Sequence, residues 1–234
     1  MLAAPRRIPR PTTIVARRSP GPPQRAWCAI LLTSLLCVSC LPARAAAAEL
    51  DRLVRVLSLE PGETVADVGA GDGDWSVRLA RVVGREGRVL ATEVEQDLID
   101  EIEARAERKD APNVAALLGD QQDSGLPADC CDAVLLRMVY HHFLDPAAMR
   151  ASIRRAMRPG ARIAVIETEP QKAWEDVDGE LDRGGHGIPE EHLLEAMTSD
   201  GFELVERIDP WKGPHGDPYC LVFRLPAAAD LPGS

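Results

Sequence analysis

Apolar and polar positions follow two rhythms along this chain, and the rhythm switches at short intervals. From Ala46 to Leu59, Leu50, Leu53, Val54 and Leu57 recur at helical spacing, which predicts an amphipathic helix ended by Pro61-Gly62. Short apolar runs then alternate with helical patterns. Strands are predicted at Thr64 to Val68, Arg88 to Thr92, Val114 to Leu118, Ala133 to Met138 and Arg162 to Glu167. Helices are predicted at Asp74 to Val83, Gln96 to Arg108 and Asp145 to Met157, the last stopped by Arg158-Pro159-Gly160. Pro189 opens another helix at a favourable first-turn position, and Gly201 caps it. Phe202 to Ile208 and Tyr219 to Arg224 complete the pattern as two further strands. Strands rich in Val, Leu and Ile that alternate with helices predict an α/β fold with a mostly parallel sheet covered on both faces. In such sheets ligands bind beyond the carboxyl ends of the strands, near the switch in strand order. The turns after the first five strands are therefore where chemistry is expected.

The first 45 residues do not share this pattern. They hold seven arginines and no acid, and Ala26 to Leu41 is an uncharged apolar run of 16 residues. Arg6, Arg7, Arg10, Arg17, Arg18 and Arg25 precede that run, and Pro42-Ala43-Arg44-Ala45 follows it with small residues where a signal peptidase needs them. The run falls short of the roughly 20 residues that span a bilayer. Residues 1–45 are read as a signal or targeting segment ahead of a single domain at 46–234. An exported, periplasmic or secreted, protein is expected; membrane anchoring through the leader and organelle import are the alternatives. Three of the six cysteines lie in the leader as small apolar residues, and Cys130, Cys131 and Cys220 are read as ordinary buried thiols. With seven of 27 basic residues and none of 37 acids in the leader, the remainder carries about −17 charges. So acidic a body is a poor match for a phosphate backbone, and no nucleic-acid partner is expected.

Candidate chemistry concentrates in four turns. The first reads Asp67-Val68-Gly69-Ala70-Gly71-Asp72-Gly73-Asp74-Trp75. Glycines at alternate positions let the backbone reverse sharply and approach a ligand without a Cβ in the way. The dinucleotide pattern G-x-G-x-x-G/A is not met, because Asp74 replaces the third small residue and Asp72 puts a carboxylate where a pyrophosphate would sit. A cationic ligand without phosphate tolerates those acids better. Glu93, 20 residues past Gly73, ends the second strand and suits the two ribose hydroxyls of an adenosine, with Glu95 its neighbouring competitor. Asp120, after the third strand, either accepts from an adenine amino group or simply forms a loop turn. After the fourth strand, Tyr140, His141 and His142 are the candidate catalytic residues, a neutral imidazole there being a possible base toward a hydroxyl or amine. Adjacent side chains point in different directions, so one histidine is expected to face the pocket. No third ligand is visible by spacing, so no metal site is expected. Glu169 to Gly187 is long, acidic and irregular, the pattern of a lid or substrate-binding segment, with Trp174 and His186 its candidate functional residues.

Taken in order, VADVGAGDGDWS, RVLATEVEQDL, LLGDQQDSGLPADCCDAVLLRMVYHHF and IRRAMRPGARIAVIE resemble the class I S-adenosylmethionine-dependent methyltransferases, in particular the small-molecule branch with a methyltransferase-11 or -25 type domain. The resemblance covers most of 60–167, and 188–225 fits the family's last helix and strand pair. It implies a Rossmann-like, doubly wound seven-stranded sheet with the last strand antiparallel. It also implies S-adenosylmethionine as cofactor, Gly69, Gly71 and Gly73 against its methionine part, and Asp67 and Asp72 near its amino group. Glu93 would take the ribose and Asp120 the adenine. Gly160-Ala161 departs from the family's usual Gly-Gly at a turn remote from the ligand. The expected activity is methyl transfer to a small-molecule acceptor. The alternatives are a non-catalytic binding module in the cell envelope, which the leader favours, and an NAD-dependent oxidoreductase, which Asp72 and Asp74 disfavour.

Overall fold

A computed structural model of the chain describes residues 41–170, 186–211 and 218–227. Most of the leader and Trp174 lie outside the described residues. Helix α1 spans Leu41–Leu57, and strand β1 (Thr64–Val68) leads into α2 (Asp74–Val83). Next come β2 (Arg88–Glu93), α3 (Gln96–Arg108), β3 (Val114–Leu118) and β4 (Cys131–Arg137). A 3-10 turn at Tyr140–His142 leads to α4 (Pro146–Ala156) and β5 (Met157–Glu167), and the chain closes with α5 (Glu190–Ser199), β6 (Glu203–Ile208) and β7 (Tyr219–Arg224).

The seven strands form one sheet in the order β3-β2-β1-β4-β5-β7-β6. Pairing is parallel from β3 through β5, and β7 runs antiparallel to both β5 and β6. This is the expected Rossmann-like arrangement. The side-chain alternation of the strands builds its two covering layers. Ala66, Val68, Val134, Leu136, Ile163 and Val165 face a core completed by Met149 and Ile153 of α4 and Leu193 and Met197 of α5. Their neighbours Val65, Val89, Leu135, Ala164 and Ile166 face the other way, against Leu53, Val56 and Leu57 of α1 and Val77, Leu79 and Val83 of α2. Ile99 and Ile102 of α3 pack on Ala91. The chain leaves β1 in one direction along the sheet and returns to its other side with β4, so the switch point lies between the ends of β1 and β4.

Three expectations are adjusted. The first helix begins at Leu41 rather than Ala46. The helix ends at Ala156, ahead of Arg158-Pro159-Gly160 as expected, but β5 begins at Met157 rather than Arg162 and includes these residues, and its register to β4 shifts between Cys131 and Ala133. Gly160 is tied there by its N–H to the Leu225 carbonyl at 2.8 Å. The cysteines are not three thiols: Cys130 and Cys131 form a vicinal disulfide, and Cys220 is a buried free thiol.

Candidate functional site

The glycine turn sits at the switch point, and its conformation is one that side chains resist. Gly69, Gly71 and Gly73 have φ of 69°, 57° and 75°, a region L-residues enter at a cost. Each glycine meets something different. A Cβ on Gly69 would collide with Val139, and one on Gly73 would lie 3.2 Å from Ile102, whereas above Gly71 nothing lies within 4 Å. Gly69 and Gly73 let elements approach closely; Gly71 faces open space. The turn is fastened to β2 by the Gly69 and Ala70 N–H groups, which donate to the Thr92 carbonyl at 2.9 and 3.1 Å. Gly71 N–H donates to Glu93 Oε1 at 2.6 Å. Glu93 is thus held against the glycine turn at the end of the neighbouring strand.

A cavity of about 420 Å³, lined by Gly69 and Glu93 but not by Gly71, Gly73, Asp67 or Asp72, opens there, a size usual for small-ligand sites. Val68, Gly69, Thr92 and Glu93 form one wall. Val94, Glu95, Gly119, Asp120 and Ser124 line the cavity from the second and third turns, and Met138, Val139, His142, Phe143 and Met149 from the fourth turn and α4. Glu93, Glu95 and Asp120 therefore converge as the sequence order suggested. Asp120 also does the plainer work weighed for it: its Oδ1 accepts from the backbone N–H of Gln122 and Asp123, each at 2.8 Å. The following loop is pinned to α4 through Asp123, which accepts from Gly125 N–H at 2.9 Å, Ser152 at 3.0 Å and Arg155 at 2.8 Å. The Gly125 N–H above all holds the Asp123 carboxyl below the usual carboxylate range.

The two acids of the glycine turn have other partners than the cavity. Asp72 pairs with Arg105 of α3 at 2.5 Å, and Asp74 with Arg78 at 2.8 Å. Asp67 is buried beneath the turn, where Ser76 donates to it at 2.6 Å. Burial pushes its pKa up to about 6, against the opposing pull of the Ser76 hydrogen bond and Arg137.

Met138 opens the fourth turn. It leaves β4 at a φ of 56°, an uncommon conformation for a non-glycine residue and one often kept at functional sites. The chain then tightens into the 3-10 turn, which separates the three expected catalytic candidates. Tyr140 is turned into the core, 2% exposed, with its hydroxyl accepting from Arg150 at 2.7 Å, and it does not line the cavity. His141 also lies off the lining; its Nδ1 meets Glu167 Oε2 at 2.7 Å, and both side chains are buried. His142 lines the cavity, as one histidine was expected to. Burial foremost, and then the neighbouring His141 and His186, lower its pKa. The 3-10 turn nevertheless keeps the His141 and His142 rings together, with centroids 4.0 Å apart.

Sequence reasoning overlooked Glu49. It is 1% exposed, and its Oε1 accepts from Trp211 Nε1 at 3.0 Å and Arg137 Nε at 3.2 Å. Arg137 in turn lies over Trp75, 5.0 Å from the ring centroid. This chain of contacts braces α1 against the end of β4 and the start of α2. An acid among the apolar positions of the first helix was its signal.

Fold and turn together define a Rossmann-like domain with a cavity at its switch point, and several known proteins are similar to it. Residues 65–160 match the family model described as a methyltransferase domain. An uncharacterized 37.1 kDa protein in a transposon of Streptomyces fradiae is 32% identical over 117 residues, covering 50% of this chain and 33% of that protein. A demethylmenaquinone methyltransferase of Listeria welshimeri is 23% identical over 126 residues, 53% of each chain. The chain thus spans about a third to a half of the curated relatives it matches. Among solved structures, a SAM-dependent methyltransferase from Aquifex aeolicus superposes with a TM-score of 0.64 at 18% identity, over 79% of this chain and 98% of that one. The 4+2 cyclase SpnF gives a TM-score of 0.67 at 19% identity, over 79% and 83%. The chain has the Rossmann-like fold of these proteins.

Proposed function

We propose that this protein is an S-adenosylmethionine-dependent methyltransferase acting on a small-molecule acceptor. The observation that carries the reading is the Gly71–Glu93 contact at the switch point, where Glu93 lines a cavity of mixed polar and apolar residues. The methyltransferase-domain match over that same stretch supports it.

The residues present fit the cofactor. Open space above Gly71 admits its methionine part. Glu93 keeps acceptor capacity for ribose hydroxyls beyond the hydrogen bond from Gly71. The second oxygen of Asp120 serves the adenine amino group, beside Gly119 and Val94. Buried Asp67 contributes negative charge beneath a cationic ligand. Asp72 is committed to Arg105 and acts by fixing the turn to α3. Met138, His142, Phe143 and Met149 would line the place of the acceptor. When bound, S-adenosylmethionine supplies an electrophilic methyl group, which an acceptor lone pair takes in line as the carbon–sulfur bond breaks. The protein contributes mainly alignment, which can supply several kcal/mol of the barrier.

Retention of labelled S-adenosylmethionine in equilibrium dialysis tests the reading. Label displaced by S-adenosylhomocysteine but not by NADH is expected. Failure to retain it, with NADH bound instead, would replace the methyltransferase by a nicotinamide enzyme.

A further inference from the structure

A cluster of three histidines lies beside the cavity. His141 and His142 come from the 3-10 turn, and His186 arrives from the segment ahead of α5, 45 residues later. One nitrogen from each lies within 4.8 Å of the others. His186 Nδ1 and His141 Nε2 are 3.4 Å apart, and the His186 ring stands edge-on to both neighbours.

The surroundings prepare this cluster for an electron-pair acceptor. Glu167, fully buried at the end of β5, faces His141 Nδ1 at 2.7 Å. With Nδ1 against the carboxylate, Nε2 is the ring nitrogen of His141 that faces His186. A carboxylate on the far ring nitrogen is the usual support of a metal-ligating imidazole. The backbone also delivers His186 by design. Gly187, at a φ of 111°, passes so close to β5 that a Cβ would lie 2.5 Å from the Thr168 carbonyl oxygen, and the Ile188 N–H then bonds that carbonyl at 2.9 Å.

We propose that His141, His142 and His186 form a binding site for a divalent transition-metal ion of the zinc type. Three imidazoles suit zinc, copper or nickel rather than the oxygen-seeking magnesium or calcium. Three protein ligands leave a zinc-like ion an open coordination position, and His142 places the ion at the cavity wall. The site holds whether or not the protein transfers methyl groups.

The test uses the full chain without a polyhistidine tag, stripped with chelator and titrated with ZnCl2 by calorimetry and with CoCl2 by visible absorption. One ion per chain is expected, with the intense cobalt bands of a tetrahedral site. His186→Ala and His142→Ala should each weaken zinc binding at least tenfold, and Glu167→Gln by about 10- to 100-fold, while His192→Ala should change nothing. Each variant should keep the wild-type melting curve in chelator. Affinity for S-adenosylhomocysteine in His186→Ala, measured alongside, should stay within about twofold of wild type and separates this site from the cofactor reading. Absence of stoichiometric zinc binding by the wild type, or equal binding by the His142 and His186 variants, would overturn the proposal.

Discussion

At the scale of single residues, Gly71 and Asp67 mark the two sides of the glycine turn. Gly71 combines a φ of 57° with empty space above its Cα. A Gly71→Val chain should fold with a cost of about 1–2 kcal/mol and lose measurable affinity for S-adenosylhomocysteine, because the new side chain fills the space the ligand needs. Unchanged affinity in a folded variant would remove the turn from the site. Asp67 behaves as a buried acid whose pKa rises from 3.8 to about 6 on folding. A raised folded pKa means the native state holds the proton more tightly, so this group's contribution to stability is greatest at low pH and declines as pH rises from about 4 to 6. Asp67→Asn should therefore gain on the wild type across that window, by about 3 kcal/mol in the limit. Melting temperatures of both proteins between pH 4 and 7.5 check this. A constant difference would contradict it.

At the scale of elements, the sequence pattern located every strand and helix of the Rossmann-like layout, because alternation and helical spacing are local signals. What it missed was joinery. Val139-Tyr140-His141-His142 follows the fourth strand in the sequence, and nothing local announces that Met138 takes a positive φ and winds the chain into a 3-10 turn. That turn sends Tyr140 to Arg150 and His141 to Glu167, leaving His142 on the cavity. His186 was singled out from its loop, yet its meeting with the histidine pair depends on tertiary structure across 45 residues. That the glycine turn, Glu93 and Asp120 share one end of the sheet was legible because each follows a strand. The pairing of Asp72 with Arg105 was not, since Arg105 lies 33 residues away on α3. Helix α1 illustrates the same limit through Glu49. Replacing this buried acid by alanine leaves the Trp211 N–H without an acceptor and Arg137 without its counter-ion, and should destabilise the fold by about 3 kcal/mol. Denaturant unfolding of Glu49→Ala reads this directly, and a cost near zero would show that α1 docks by its apolar face alone.

At the scale of the whole molecule, one sheet edge gathers the candidate chemistry. The ends of β1 and β2 and the turns after β3 and β4 line one cavity, the last with His142. The domain's negative charge suits a cationic ligand and not a polyanion. Among the described residues no helix is long and apolar enough to cross a membrane. We propose export from the leader sequence alone, and sequencing the N-terminus of protein recovered from the native source would check it, a start at Ala46 being the result expected for a cleaved leader. The central claim is the cofactor site, and calorimetric titration of the full chain with S-adenosylhomocysteine, alongside Glu93→Ala, tests it most directly. Micromolar binding of one ligand per chain, weakened at least about tenfold (1.4 kcal/mol) in the variant, is the predicted result. No binding by demonstrably folded wild-type protein, or equal binding by the variant, would contradict the account.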